Sequence, residues 1–191
     1  MYYCGNEILN TSLLTCFNLL SILRTPLFRL DSKVCLRTLC ISSGNADVDT
    51  VVASTLKVLD AANARLDLPV YRGCAHPLVE PPHFCPEIHG VDSLGDLEPP
   101  LPTPPHRKVA PGHAVTAMLA ALRSSADASV TLICLAPLTN LACALRTDAK
   151  VMAAKVGIIR SICFDNCDIS MHDEIYHSNK LNFRALLLFT K

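Results

Sequence analysis

The sequence predicts an α/β fold, a doubly wound and mostly parallel sheet, from three observations. Short apolar runs rich in β-branched residues alternate with segments of helical spacing, which is the pattern of strand–helix–strand units. Units in that order place their strands in parallel. Polar residues follow several of the predicted strands directly, where open sheets of this class bind ligands.

The first unit occupies the segment that ends at Gly73. The run from Val34 to Ser42 is apolar and β-branched, which favours a buried strand, and Gly44-Asn45 is a turn signal. We expect Asp47 to cap a helix that extends to about Ala64. One face of that helix is apolar and consists of Val48, Val52, Leu59 and Ala62. Pro69-Val70-Tyr71 predicts a short second strand.

A proline-rich segment separates this unit from the second half of the predicted fold. Ten of the 13 prolines lie between Pro77 and Pro111, so neither a regular helix nor a central strand is expected there. Helical spacing then returns over residues 112–125. The run from Ser129 to Leu135 predicts a buried strand, a helix begins at Leu138, and Val156 to Ile159 predicts the last strand.

We expect one domain, residues 34–160, between two unassigned segments. Residues 1–33 and 161–191 show no clear hydrophobic period and no helix caps. We therefore expect residues 1 to about 30 and 164–191 to pack poorly against the core. The apolar run from Leu13 to Leu23 is too short to span a membrane, and no positive charge precedes it, which disfavours a signal peptide.

The composition excludes several classes of function. The chain is 50% apolar with a mean hydropathy of +0.32, which excludes a disordered chain. Seventeen basic residues balance 17 acidic ones, and Trp is absent, which argues against nucleic-acid and polybasic membrane partners. The ten cysteines are scattered and form no C-x-x-C pair. Free, buried thiols in a reducing compartment are the simplest interpretation, so we expect a cytoplasmic protein.

Three segments are candidate ligand sites. Asn45 follows the first strand, where its amide can donate to and accept from a polar ligand, or serve a turn. His89 lies in the segment His89 to Gly95 (HGVDSLG) and can shuttle a proton or simply bond the loop backbone. In the segment Ala136 to Ala142 (APLTNLA), backbone carbonyls can bind a hard cation, and Thr139 or Asn140 can cap the following helix.

Taken in register, these motifs resemble the inosine-uridine-preferring nucleoside hydrolase family. Its early Gly-Asn matches Gly44-Asn45, and its Pro-Val-Tyr-x-Gly strand matches the segment from Pro69 to Gly73. A nearby Pro-Leu matches Pro77-Leu78. The loop motif His-Gly-x-Asp-Gly-Leu-Gly matches HGVDSLG with Ser93 for a glycine, and Gly-Pro-Leu-Thr-Asn-Leu-Ala matches APLTNLA with Ala136 for a glycine. The similarity covers about residues 36–160.

The resemblance implies a fold, a reaction and residue roles. The family has a doubly wound α/β fold and hydrolyses the N-glycosidic bond of ribonucleosides to ribose and free base, with a bound Ca²⁺. By resemblance, Asn45 and His89 contact the substrate, and the backbone carbonyl of Thr139 ligates the metal. A small-molecule nucleoside is thus the expected partner, and neither a nucleic acid nor a membrane is expected to bind. For full-length members of the family, the resemblance is compatible with a homo-oligomer.

The chain departs from the family at both ends. The family's first strand precedes an Asp-x-Asp-Pro-Gly-x-Asp-Asp cluster that supplies calcium ligands and the general base, whereas Asp31 is the only carboxylate between Glu7 and Gly44. We therefore expect this chain to contain an interior part of the family's domain, flanked by unrelated ends. We expect the chain to be inactive as written, and calcium binding to be doubtful. Two alternatives stay open: a non-catalytic ribose- or nucleoside-binding relic, and an unstable product of wrong exon borders.

Overall fold

Five strands and four helices make up the part of the chain that the computed structural model describes, residues 11–16 and 36–161. Side chains are described for residues 36–159. In chain order the elements are β1 (Thr11–Cys16), β2 (Leu36–Ile41), α1 (Val48–Ala61), β3 (Val70–Arg72), α2 (Pro86–His89), α3 (Ala114–Arg123), β4 (Val130–Cys134), α4 (Thr139–Lys155) and β5 (Val156–Ser161).

The five strands form one parallel sheet in the order β3-β2-β1-β4-β5. The chain order runs outward from β1 in both directions, so the fold changes direction between β1 and β4. Such a switch point opens a crevice at the carboxyl ends of the strands. The predicted doubly wound α/β class is confirmed.

Helices cover both faces of the sheet. Neighbouring residues on a strand face opposite sides, and Cys40 belongs to a different apolar cluster from Leu39 and Ile41. The Cys40 cluster contains the buried residues of α3 and α4, whereas the Leu39 cluster contains those of α1. Each helix presents a stripe of apolar residues to the sheet, and these two layers supply the core.

The expectation that residues 1 to about 30 pack poorly is wrong for Thr11–Cys16. This strand lies between β2 and β4 and pairs with both, with Leu14 opposite Leu39 on one side and Ile133 on the other. A strand paired on both sides is central to the sheet rather than peripheral to it. The remainder of residues 1–33, and residues 162–191, lie outside the described residues, and the domain boundaries at 34 and 160 stay predictions.

The other elements follow the sequence prediction within a few residues. Asp47 caps α1, its carboxylate accepting the backbone N–H groups of Asp49 and Thr50 at 3.0 Å. The proline-rich segment contains one regular element, the single helical turn α2, which Pro86 opens at a position that needs no N–H donor. Among the described residues, no helix has the length and apolar character to cross a bilayer.

A buried arginine fastens the proline-rich segment to α1. The side chain of Arg107 is 4% exposed, and its guanidinium lies 3.3 Å from the carboxylate of Asp60. It also donates to the carbonyl oxygens of Ala64 and Arg65, just beyond the end of α1. These bonds join the segment to the loop that follows α1, so the segment is held where it leads back toward the sheet.

Candidate functional site

Asn140 joins the start of α4 to the ends of two strands. The residue is 1% exposed, and its Oδ1 accepts the backbone N–H of Cys74 at 2.9 Å. Its Nδ2 donates to the carbonyl of Ile41 at 3.1 Å and approaches that of Cys40 at 3.4 Å. The predicted capping role is not seen, because no side chain caps α4. Asn140 instead sets the geometry of the sheet's carboxyl edge.

Gly73 makes this close packing possible. A β-carbon on Gly73 would overlap the carbonyl oxygen of Ile41 and the side-chain amide of Asn140. A residue with a side chain therefore could not occupy this position without moving β2 or α4. The glycine that ends the strand motif and the asparagine of the APLTNLA segment are thus parts of one packed unit.

The two predicted substrate residues, Asn45 and His89, lie in contact. Nδ2 of Asn45 is 2.6 Å from Nε2 of His89, although 44 residues separate them in the chain. Because an amide N–H donates, the imidazole nitrogen accepts, and the ring proton then sits on Nδ1. The backbone supports the pair, since the carbonyl of Asn45 accepts the N–H of Cys85 at 2.8 Å, next to the start of α2.

Two carboxylates shape the loop that carries His89. Oδ1 of Asp92 accepts the N–H groups of Leu94 and Asp96, and Oδ1 of Asp96 accepts those of Val91 and Asp92. Gly90 has a φ of +75°, and a β-carbon there would meet Asp96 at 2.6 Å. Each aspartate therefore organises backbone around the other, which gives the HGVDSLG segment its compact form.

The loop is also fixed to α1. The hydroxyl of Ser54 on α1 donates to the carbonyl of Asp92 in the loop at 2.5 Å. Within the loop, the N–H of Gly95 donates to the carbonyl of His89 at 2.7 Å. Ser54 is buried on α1, the helix whose start follows Asn45. One helix thus positions both members of the Asn45–His89 pair.

Thr139 is the first residue of α4, five residues beyond the end of β4. Asn45 follows the end of β2 by a similar distance, and both strands run parallel to β1. The prediction that Asn45 and Thr139 lie at the same edge of the sheet is confirmed. The carbonyl of an opening helical residue accepts one intrahelical bond and keeps a second lone pair, and its role as a metal ligand stays a prediction.

Two aspartates near this edge, Asp47 and Asp49, are engaged in local structure. Asp47 caps α1 with one oxygen and accepts the hydroxyl of Thr50 with the other, and that hydroxyl is the main cause that lowers the pKa of Asp47. Asp49 forms a bidentate pair with Arg72 at 2.6 and 3.0 Å, which lowers the pKa of Asp49.

Calcium binding by this chain stays a prediction, and the described residues show no cluster of acidic side chains for it. Ca²⁺ takes about six to eight oxygen ligands, several of them usually charged. Within residues 11–16 and 36–161, no three His, Cys, Asp or Glu side chains converge on a common point. Asp47, Asp49, Asp92 and Asp96 all serve caps, ion pairs or turns, as described above. Asp31 lies outside the described residues.

Two features of this edge were not predicted from the sequence. The three bonds of Asn140 reach partners 66 to 100 residues away in the chain, so no local pattern announces them. The Asp49–Arg72 pair joins the first turn of α1 to the end of β3 and is likewise invisible to spacing. The Pro-Val-Tyr-x-Gly motif identifies this region, but the reason for its glycine is seen only in the structure.

Comparison with known proteins finds a matching family model and several relatives. A sequence model described as the inosine-uridine preferring nucleoside hydrolase matches residues 19–159. An uncharacterised protein of Schizosaccharomyces pombe is 34% identical over 117 residues, 61% of this chain and 36% of that protein. A pyrimidine-specific ribonucleoside hydrolase of Shewanella sp. (strain ANA-3) is 35% identical over 112 residues, 59% of this chain and 34% of that protein.

Solved structures share the architecture. A purine-preferring ribonucleoside hydrolase from Gardnerella vaginalis superposes with a TM-score of 0.69 at 20% identity, over 80% of this chain and 48% of that chain. The likeness at this identity concerns the fold. The present chain spans about a third of the length of the curated relatives it matches and about half of the solved structure.

Proposed function

The chain belongs to the inosine-uridine preferring nucleoside hydrolase family, and from this premise we propose that the carboxyl edge of its sheet binds the ribose of a ribonucleoside. The family reaction is hydrolysis of the N-glycosidic bond, which gives ribose and a free base. We propose further that the 191-residue chain binds the nucleoside without hydrolysing it.

The contact between Asn45 and His89 is the observation that carries the binding proposal. It uses one proton of the Asn45 side-chain amide. The second amide proton and the side-chain carbonyl oxygen remain for a ligand. A neighbouring pair of ribose hydroxyls offers both donors and acceptors, which is what such an amide can satisfy. The pair lies at the carboxyl edge of a doubly wound sheet, where ligands of this class bind.

The second part of the proposal, binding without hydrolysis, rests on carboxylates that are held in turns, caps and ion pairs. N-glycosidic hydrolysis passes through an oxocarbenium-like state and needs an activated water on one face of the sugar. A positioned base contributes roughly 10²–10⁴ in rate. Asp92, three residues beyond His89, is held by two backbone N–H groups of its own loop. Binding by Asn45 alone does not speed the chemical step.

Hydrolysis by this chain is the second candidate, and family membership favours it. It requires a carboxylate that can act as the general base, such as Asp31, or Asp92 after release from its turn. The two candidates differ in one measurable product, since only hydrolysis releases ribose.

Calorimetric titration with inosine and with uridine tests binding, and a reducing-sugar assay tests hydrolysis. We expect binding that weakens roughly 10- to 100-fold in Asn45→Ala and His89→Ala, the effect of losing one or two hydrogen bonds. Asn63→Ala is the matched control, because Asn63 is exposed and lies beyond the far end of α1. No binding by the wild-type chain contradicts the binding proposal, and ribose release that a chelator abolishes supports the second candidate.

Two further assignments belong to this proposal. The partner is a small-molecule nucleoside rather than a nucleic acid, in line with the balanced charge of the chain. We also propose a cytoplasmic location, in line with the scattered cysteines of the chain, which form no C-x-x-C pair. A homo-oligomer stays a prediction that sedimentation of the purified chain can check.

A further inference from the structure

Two cysteine thiols meet beside the sheet's carboxyl edge. Sγ of Cys74 lies 3.7 Å from Sγ of Cys143, so the two sulfur atoms are in van der Waals contact. Cys74 directly follows Gly73 at the end of β3, and Cys143 lies one helical turn beyond Asn140 on α4. The residues are 69 positions apart in the chain, and the fold alone brings them together.

The backbone around both thiols is held in place. The N–H of Cys74 donates to Asn140 and its carbonyl accepts the N–H of Ser43 at 3.0 Å, so both sides of Cys74 are bonded. Cys143 lies within the first half of α4, where the hydroxyl of Thr147 donates to its carbonyl at 2.7 Å. The contact between the sulfurs is therefore a property of the packed edge, and a disulfide of about 2.05 Å requires the two sulfur atoms to move closer together.

Access separates this pair from the two buried cysteines among the described residues. Cys74 and Cys143 are half-buried, which leaves a path for a small reagent, whereas Cys40 and Cys134 are buried. Burial raises the pKa of the Cys40 thiol to about 12 and keeps it protonated and inert. Cys85 is half-buried like the pair and lies at the start of α2, so it serves as an internal comparison.

We propose that Cys74 and Cys143 form a reversible disulfide when the chain meets a low-molecular-weight disulfide oxidant. One of the two thiols attacks the oxidant as its thiolate, one small thiol leaves, and a mixed disulfide forms on the protein. The sulfur of the other cysteine then attacks the protein sulfur of this mixed disulfide, its proton goes to solvent, and the second small thiol leaves. Two electrons pass from the two protein thiols to the oxidant, which departs as two thiols.

Burial, and next the neighbouring Cys143, raise the pKa of Cys74 to about 12. The contact between the sulfur atoms carries the proposal, because the second thiol already lies beside the first when the mixed disulfide forms. A reducing cytoplasm keeps both thiols free, so the disulfide reports a shift toward oxidation. This inference does not depend on nucleoside binding.

Peptide mapping of the full 191-residue chain tests the proposal. The chain is incubated with oxidised glutathione under native conditions, alkylated, and digested with trypsin. We expect peptides 73–107 and 124–146 to be recovered joined through Cys74 and Cys143, and to separate on reduction. The cross-linked chain should unfold at a Tm roughly 5 °C or more above the reduced chain, because the bond closes a long loop.

Variants separate this bond from other cysteine chemistry. Cys85→Ser is needed because Cys85 lies in the same tryptic peptide as Cys74. This variant should keep the cross-link, because Cys85 lies at the start of α2. Cys74→Ser should lose it and leave glutathione on Cys143. A cross-link through Cys85, stable glutathionylation of both thiols in the wild-type chain, or cross-linking only after denaturation in urea would each overturn the proposal.

Discussion

The side-chain amide of Asn140 fills the space that a β-carbon on Gly73 would need. The same amide bonds the backbone of Cys74 and Ile41, so three segments that are distant in the chain meet at one buried group. Two motifs that look independent in the sequence are therefore halves of one contact. It fixes the spacing between β2, β3 and α4, and the loop from Ser43 to Asn45 starts from this frame.

Replacing Asn140 by aspartate should destabilise the fold by about 3 kcal/mol at neutral pH. The acceptor for Cys74 remains, but a carboxylate oxygen replaces the N–H donor and faces the carbonyl oxygens of Ile41 and Cys40. Stability should partly return below about pH 5, where the carboxyl group becomes protonated and donates. Urea unfolding at pH 7 and pH 4.5 measures both effects.

Asn63→Asp is the matched control for this substitution. Asn63 is exposed and has a φ of +50°, a conformation that aspartate also tolerates. Its replacement should change the unfolding free energy by less than about 0.5 kcal/mol. Equal losses in the two variants would show that the buried amide has no special role.

The order of elements was predictable because each has a local signature. The β-branched run of β2, the aspartate cap of α1 and the apolar stripe of α3 lie within short windows of sequence. The parallel arrangement then placed Asn45 and Thr139 at one edge. These strand, cap and helix signals involve residues close together in the chain, so the sequence pattern alone predicts the elements.

The parts that were missed depend on distant partners. β1 lies inside an apolar run without turn signals, and only pairing with β2 and β4 on both sides defines it. The contact between Asn45 and His89 spans 44 residues, and the sulfur contact spans 69. Spacing identified the individual residues as candidates but could not show which of them touch.

Arg107→Lys should destabilise the chain by about 2 kcal/mol. Three guanidinium nitrogens bond Asp60 and the carbonyls of Ala64 and Arg65, and one ammonium cannot reach this set with the same geometry. The loss of these buried hydrogen bonds carries the cost. Chemical unfolding is the measurement, and Arg123→Lys is the comparison. Arg123 is 53% exposed beside Asp148, so its replacement should cost no more than about 0.5 kcal/mol.

Ser93→Gly should stabilise the chain by about 0.5 kcal/mol. Ser93 has a φ of +60° and stands where the family motif has glycine, so the serine side chain strains the loop. Relief of that strain exceeds the entropy that glycine adds to the unfolded chain. Ser124→Gly is the control, because Ser124 has a φ of −81° and its hydroxyl bonds the carbonyl of Ala121. A lower unfolding midpoint for Ser93→Gly, comparable to that of Ser124→Gly, would refute the strain.

The chain should lose stability in acid because several carboxyl groups have lowered pKa values when folded. The hydroxyl of Thr50 lowers the pKa of Asp47, Arg72 lowers that of Asp49, and Arg123 lowers that of Asp148. A lowered folded pKa means that the unfolded chain binds protons first. The stabilisation is complete above the ordinary value of 3.8 and disappears as the pH falls through the folded pKa.

Asp47→Asn isolates one contribution to this acid sensitivity. Asparagine caps a helix about as well as aspartate, so stability at pH 7 should change little, whereas the decline below about pH 4 should become shallower. Thr50→Val should have the same effect on the slope, because it removes the hydroxyl that Asp47 accepts at 2.6 Å while the carboxyl group remains. Urea midpoints between pH 7 and about pH 2.5 measure the slopes. Parallel curves for the wild-type chain and both variants would show that the cap of α1 does not contribute to the acid response.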